Sequence, residues 1–135
     1  MSDGTMIVKE IKPVASRLVK RARDLEVYKR AYRAAMQIHE ATLNFPKIEQ
    51  YALADQLRRS SKGICANISE GFTKQKYSVA EFGRFLAMGE GSAGEVQVWL
   101  QFAYDLGYID QKQFAGWEDD YLAILSMLSN LRVRL

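Results

Sequence analysis

The sequence predicts an all-α protein, an antiparallel up-down-up-down four-helix bundle with a basic N-terminal extension. Four segments repeat apolar residues at the three- and four-residue spacings of amphipathic helices. The connections between these segments are short, which requires neighbouring helices to run antiparallel. No segment has the alternating pattern and hairpin turns of a sheet. We therefore assign residues 24–135 to the bundle and residues 1–23 to a flexible extension.

The first two helices are predicted from apolar periodicity and from residues that favour helix ends. Asp24 is a candidate N-cap for the first helix, which should end near Asn44, before Pro46. The second helix is expected at about residues 50–70. Gly71 then stands where a glycine in the left-handed conformation could end it.

The third helix is predicted to run from Ser78, which can form a capping box with Glu81, to Leu106. Gly107 should end this helix, because glycine readily adopts the left-handed conformation found after helix C-termini. A fourth helix follows at once, with an apolar stripe over nearly six turns. Its first turn repeats the capping pattern with Asp110 and Gln113.

The third helix contains several glycines, each of which costs about 1 kcal/mol relative to alanine in a helix interior. Small residues at spacings of three and four would let another helix approach closely. Close packing within the chain and a subunit interface both remain open as explanations. The residues of this small-residue seam are Gly83, Ala87, Gly91 and Gly94.

The second helix has a polar stripe between its apolar and charged faces. This stripe favours either a buried polar network or a recognition edge. We predict that Glu70 accepts hydrogen bonds from backbone amides entering the third helix, and that Arg59 pairs with Glu90 or Glu95. The predicted structural network consists of Arg59, Asn67, Glu70 and Glu95.

Composition and charge limit the classes of function. One domain suits a chain of 135 residues, and the single Cys65 excludes an internal disulfide. Neither a signal peptide nor an apolar run long enough to cross a membrane is found, so a cytoplasmic protein without a membrane segment is expected. The only histidine, His39, has no indicated nucleophile beside it, and no zinc-ligand spacing occurs. We expect no enzymatic activity, metal or cofactor.

Positive charge is concentrated near the N-terminus. The formal net charge is +3, and the first 23 residues hold six Lys or Arg against two Asp or Glu. A basic arm and basic helix faces can bind nucleic acid by displacing condensed counterions. The candidate phosphate contacts are Lys29, Arg30, Arg33, Arg58, Lys62, Lys74 and Lys76.

Several segments resemble the family of four-helix-bundle proteins encoded within intervening sequences of bacterial 23S ribosomal RNA genes. They include DLEVYK at 24–29, QLRR at 56–59 and NISEGF at 67–72. The resemblance covers residues 24–135, and Cys65 stands where family members often have proline. It implies a non-enzymatic bundle that assembles as a homopentamer with a role in nucleic-acid binding. A related bundle, the accessory variability determinant of diversity-generating retroelements, partners a reverse transcriptase.

Two functions follow as expectations. The first is a non-enzymatic, oligomeric bundle that contacts RNA or DNA phosphates through basic residues. Assembly would multiply weak contacts through effective concentration. The alternative is a protein-interaction adaptor that acts as an accessory subunit of a retroelement reverse transcriptase.

Overall fold

The computed structural model describes residues 19–135 and shows an all-α bundle, as predicted. Most of the predicted extension, with Lys9, Lys12 and Arg17, lies outside the described residues. Short 3-10 turns occur at Ala22–Asp24 and Lys47–Glu49, and residues 19–135 contain no strand. The four helices are α1 (Glu26–Thr42), α2 (Leu53–Lys74), α3 (Val79–Asp105) and α4 (Gln111–Val133).

Each helix packs against its chain neighbours, and α4 packs back against α1. Within the described residues no Cα atom of α1 lies within 8 Å of a Cα atom of α3, so these helices lie on one diagonal of the bundle. One continuous core fills the space between the helices and includes fully buried Ile64, Phe82 and Tyr121. Val19 and Leu25 join this core, so the chain already packs on the bundle just before α1. No described helix has both the length and the apolar character needed to span a membrane.

The predicted start and end of α3 and the predicted start of α4 are confirmed. Ser78 accepts a hydrogen bond from the backbone amide of Glu81, and Asp110 and Gln113 form a complete capping box. Gly107 follows α3 with φ of 80°, and the next amide, of Tyr108, donates to the carbonyl of Ala103 at 2.9 Å. This Schellman arrangement satisfies the carbonyls that the end of α3 leaves free.

The prediction of Asp24 as the N-cap of α1 is wrong. Leu25 occupies the N-cap position without a side-chain hydrogen bond, and Asp24 belongs to the preceding 3-10 turn. There its carboxylate accepts hydrogen bonds from Arg21 at 3.2 and 3.3 Å. These bonds to the guanidinium hold the pKa of the Asp24 carboxyl below its ordinary value. Asp24 thus stabilises the turn before the helix.

The prediction that Gly71 ends the second helix is also wrong, because α2 continues through this residue to Lys74. Gly71 is buried against α3, where a Cβ atom would lie 2.8 Å from Phe85 Cβ and 3.3 Å from the carbonyl oxygen of Phe82. A side chain would force the two helices apart. The residue therefore permits close packing of α2 on α3 and does not provide a turn.

Candidate nucleic-acid interface

The antiparallel topology brings the start of α1, the end of α2, the start of α3 and the end of α4 together. We call this the basic end and define it as residues 19–29, 70–84 and 130–135. It has nine Lys or Arg and four Asp or Glu, whereas the other described residues have seven and ten. The folded body is thus polarised along its length, although its net charge is small. The basic residues of this end are Lys20, Arg21, Arg23, Lys29, Lys74, Lys76, Arg84, Arg132 and Arg134.

Three of the predicted phosphate contacts lie at the basic end. Lys29 Nζ is 3.4 Å from a carboxylate oxygen of Glu26. Lys74 and Lys76 have no carboxylate partner within the described chain, and each places its ammonium group about 6 Å from the centre of an aromatic ring. Both lysines retain donors that could meet a phosphate.

Arg30 and Arg33 occupy the middle of α1. Arg30 Nε donates to Asp120 at 3.1 Å and so joins α1 to α4. Arg33 is exposed and has no ion-pair partner in residues 19–135. Of these two arginines, Arg33 is the more available to an anion.

Arg58 is bound into the fold. Its guanidinium donates to Thr42 Oγ1 at 3.1 Å, to the Gln50 carbonyl at 2.8 Å and to Gln50 Oε1 at 3.2 and 3.3 Å. The Gln50 amide in turn donates to the carbonyls of Thr42 and Phe45. This network fixes the connection between α1 and α2, so most of the Arg58 donors are already used.

Lys62, His39 and Cys65 lie along the seam between α1 and α2. The Lys62 ammonium donates to His39 Nδ1 at 3.0 Å, so this lysine also has a partner within the chain. Burial raises the pKa of the Cys65 thiol to about 12, which keeps it protonated at neutral pH. In the part of the chain that the structure describes, no group of three His, Cys, Asp or Glu could hold a metal ion.

The residues of the predicted polar network do not meet within one chain. The Arg59 side chain is 77% exposed and lies 3.9 Å from Asp55. Glu90 is bound instead by Arg132 Nε from α4 at 2.7 Å, so the predicted pairing of Arg59 with Glu90 is wrong within the chain. The reason is that Arg59 lies on the outer surface of α2, whereas Glu90 faces α4.

The other members of the predicted network are also separate. Glu70 and Glu95 are exposed, and Glu70 lies four residues before α2 ends at Lys74. Glu70 accepts no hydrogen bond from the described amides that enter α3, so that prediction is wrong. Asn67 is half-buried between α2 and α3, beside Gly89. No ion pair joins Arg59 to Glu95 among residues 19–135, so this alternative pairing is not formed within the chain either.

The small-residue seam of α3 faces two environments. A Cβ atom on Gly83 would lie 3.7 Å from Leu135, an ordinary contact. At Gly91 and Gly94 no described atom outside the nearby α3 backbone lies within 4 Å of an added Cβ, and Ala87 is exposed. Close packing within the chain therefore does not explain Gly91 and Gly94.

The predicted phosphate contacts did not name Arg134, and Arg23 was counted only as part of the basic extension. Both lie at the basic end, and neither has a carboxylate partner within residues 19–135. A usable signal was present, since these arginines lie next to helix termini that an up-down topology places together. Grouping basic residues by helix end would have found them.

These features define a small antiparallel four-helix bundle with positive charge concentrated at one end. The family model described as 23S rRNA-intervening sequence protein matches residues 23–130. The chain belongs to this family. No curated protein matches the sequence significantly.

A solved structure from Bacteroides thetaiotaomicron VPI-5482 has a similar fold. It is described as a protein with unknown function from the S23 ribosomal protein family. The TM-score is 0.68 at 25% sequence identity, and the match covers 78% of this chain and 96% of that chain. The likeness extends over nearly the whole of the solved chain.

Proposed function

We propose that this chain is a non-enzymatic, cytoplasmic, oligomeric protein that binds RNA or DNA through the basic end of its bundle. The observation that carries the proposal is the concentration of positive charge at that end, where Arg23, Lys74, Lys76 and Arg134 lack carboxylate partners within the described residues. Cations held close together release counterions from a phosphate backbone when they bind it. Contact with phosphates positions a nucleic acid without reading its sequence.

Assembly would strengthen this binding. Cyclic symmetry places equivalent ends of every subunit on the same side of a ring. A homopentamer, which the family resemblance implies, would then present several basic ends to one nucleic acid. Weak contacts at each end would add through effective concentration.

The outer face of α3 supports self-association. In the described part of the chain nothing packs on Gly91 and Gly94 there, and Val98, Phe102 and Leu106 are each about half exposed. Two glycines beside exposed apolar side chains would allow a helix from another subunit to approach closely and bury apolar surface. Subunit contact would offset the helix propensity lost at the two glycines.

Replacing Gly91 and Gly94 together by alanine should separate monomer stability from assembly. We expect the double variant to raise the melting temperature of the dilute monomer, because no described residue obstructs either new methyl group and alanine is the better helix former. The same methyl groups should weaken self-association at least tenfold by holding the partner helix away. Light scattering across a concentration series measures the second effect.

Gly116→Ala is the matched control, since Gly116 also lies within a helix and has no atom within 4 Å of an added Cβ. It should raise the melting temperature without changing assembly. Unchanged association in the α3 double variant would show that Gly91 and Gly94 do not lie in the subunit interface.

Replacing Lys74 and Lys76 by glutamine should reduce the salt dependence of RNA binding. If each lysine contacts one phosphate, the slope of log K against log salt should become shallower by about 0.7 to 0.9 for each lysine. Filter binding of a structured RNA at several salt concentrations measures the slope. The control is the double replacement of Lys47 and Lys112, which lie at the opposite end. Equal effects of the two pairs would contradict binding at the basic end.

An adaptor function is the second candidate, because the exposed apolar face of α3 could instead bind a different protein, such as a retroelement reverse transcriptase. Light scattering distinguishes the two uses of this face. A chain that remains monomeric at high concentration would favour the adaptor. A reverse-transcriptase gene beside the gene for this chain would favour it further.

A further inference from the structure

Beside the basic end, the first turns of α1 form an aromatic cleft that the phosphate contacts do not explain. The cleft has a volume of about 370 Å³, within the range of sites for small ligands. Among the residues that the structure describes, two tyrosines and two cations line it, and no carboxylate does. Its lining residues are Arg23, Tyr28, Lys29 and Tyr32.

The two tyrosines are one helical turn apart on α1 and form a nearly parallel pair. Their ring centroids are 6.2 Å apart and the ring planes differ by 15°. Tyr32 is 54% exposed, whereas Tyr28 is partly buried against the core. The pair therefore exposes an aromatic surface to solvent, and Tyr28 anchors this surface to the core.

The α1 backbone behind this surface is fixed by packing against the core and by a contact with α2. Val27 and Ala31, on the same turns of α1, are buried in the core. The Cys65 thiol lies 3.7 Å from the Tyr28 carbonyl oxygen, across the contact between α1 and α2. Burial also raises the pKa of the Tyr28 phenol above its ordinary value, so the ring is uncharged at neutral pH. A ligand that stacks here would meet a surface that is already ordered, which lowers the entropy cost of binding.

The charges around the cleft favour an anionic ligand. Arg23 has no carboxylate partner in the described chain, because the nearby Asp24 is bound by Arg21. Lys29 is held only loosely by Glu26, at 3.4 Å. A flat aromatic group joined to a phosphate matches two rings flanked by two cations. Nucleotides of a single strand have this chemistry, whereas bases within a duplex are stacked on each other and do not expose their faces.

We propose that Tyr28 and Tyr32 stack on unpaired bases of a single-stranded nucleic acid while Arg23 and Lys29 contact the adjoining phosphates. The proposal rests on the proposed function and adds a preference for unpaired strands. Because every base has a π-face, little dependence on sequence is expected.

Fluorescence anisotropy with labelled oligouridine and with an RNA duplex of equal length tests the preference. Tyr32→Ala should weaken binding of oligouridine about tenfold, since stacking on one aromatic side chain has an effect of this size. Binding of the duplex should change little. Tyr32→Phe keeps the ring and should retain binding of both probes. Tyr51→Ala is the matched control, because Tyr51 is 96% exposed at the opposite end of the bundle.

These binding experiments distinguish failure of the proposed function from failure of the stacking site. If the native chain binds neither probe, the proposed function and the stacking site both fail. If the native chain binds RNA with the salt dependence of Lys74 and Lys76 but Tyr32→Ala binds oligouridine normally, only the stacking site is overturned. Light scattering on Tyr32→Ala supplies a further check. A loss of assembly that weakens both probes equally would assign Tyr32 to a protein interface instead.

Discussion

Replacing Gly71 by alanine should lower the free energy of unfolding by about 2 kcal/mol, although alanine is the better helix former. The new Cβ would lie 2.8 Å from Phe85 Cβ and 3.0 Å from Phe82 Cδ1. Phe85 Cβ is fixed directly to the backbone of α3, so the overlap can be relieved only by moving the helices apart. Such a shift loosens packing along the whole contact between α2 and α3. Urea denaturation of dilute protein measures the change.

Gly116→Ala provides the comparison for Gly71→Ala. Both glycines lie within helices, but an added Cβ at Gly116 meets no atom within 4 Å. The control should therefore be slightly more stable than the native chain, by up to about 1 kcal/mol. If Gly71→Ala were as stable as the control, the close approach of α2 and α3 at Gly71 would not constrain the fold.

Replacing Arg58 by methionine should lower the free energy of unfolding by about 2 to 3 kcal/mol. The substitution keeps an unbranched side chain but removes the charged donors to Thr42 and Gln50. Hydrogen bonds to charged groups contribute more than neutral ones, and their loss would leave the carbonyl of Gln50 without this donor. The connection between α1 and α2 should then become more mobile. Denaturation and amide hydrogen exchange over residues 43–52 measure the two effects.

The neighbouring residue supplies the control. Arg59 has the same side chain, is 77% exposed and has only a 3.9 Å contact with Asp55. Arg59→Met should therefore change stability by less than about 0.5 kcal/mol. The proposed function also requires that Arg58→Met, measured where it is folded, keeps the native salt dependence of RNA binding. A clearly shallower slope of log K against log salt would show that Arg58 contacts phosphate after all.

Assignments that depend on local interactions were largely available from the sequence. Four apolar stripes with short connections predicted the bundle, and Ser78 and Asp110 predicted the starts of α3 and α4. Each of these caps involves residues three positions apart, so no distant partner is needed to recognise it. Gly107 belongs to the same class, because a left-handed residue satisfies carbonyls of its own helix.

Other assignments depended on which helix faces meet. Gly71 and Gly107 are the same residue type beside predicted helix ends, yet Gly71 serves a contact with Phe85 on another helix. Arg58 and Arg59 are adjacent, and the 100° rotation of one helical residue directs Arg58 toward Gln50 and Arg59 toward solvent. Neither distinction can be made from spacing alone.

Periodicity and capping act within a few residues, so the amino-acid sequence was enough to predict the four helices, their order and their antiparallel directions. Which cations are free to bind and which hold the fold became known only from the folded chain. Packing brought basic residues from distant parts of the chain to one end, while it engaged Arg58, Lys62 and Arg30 in contacts between segments. The physical reason is that the availability of a charge depends on its neighbours in space, and only the folded chain sets those neighbours.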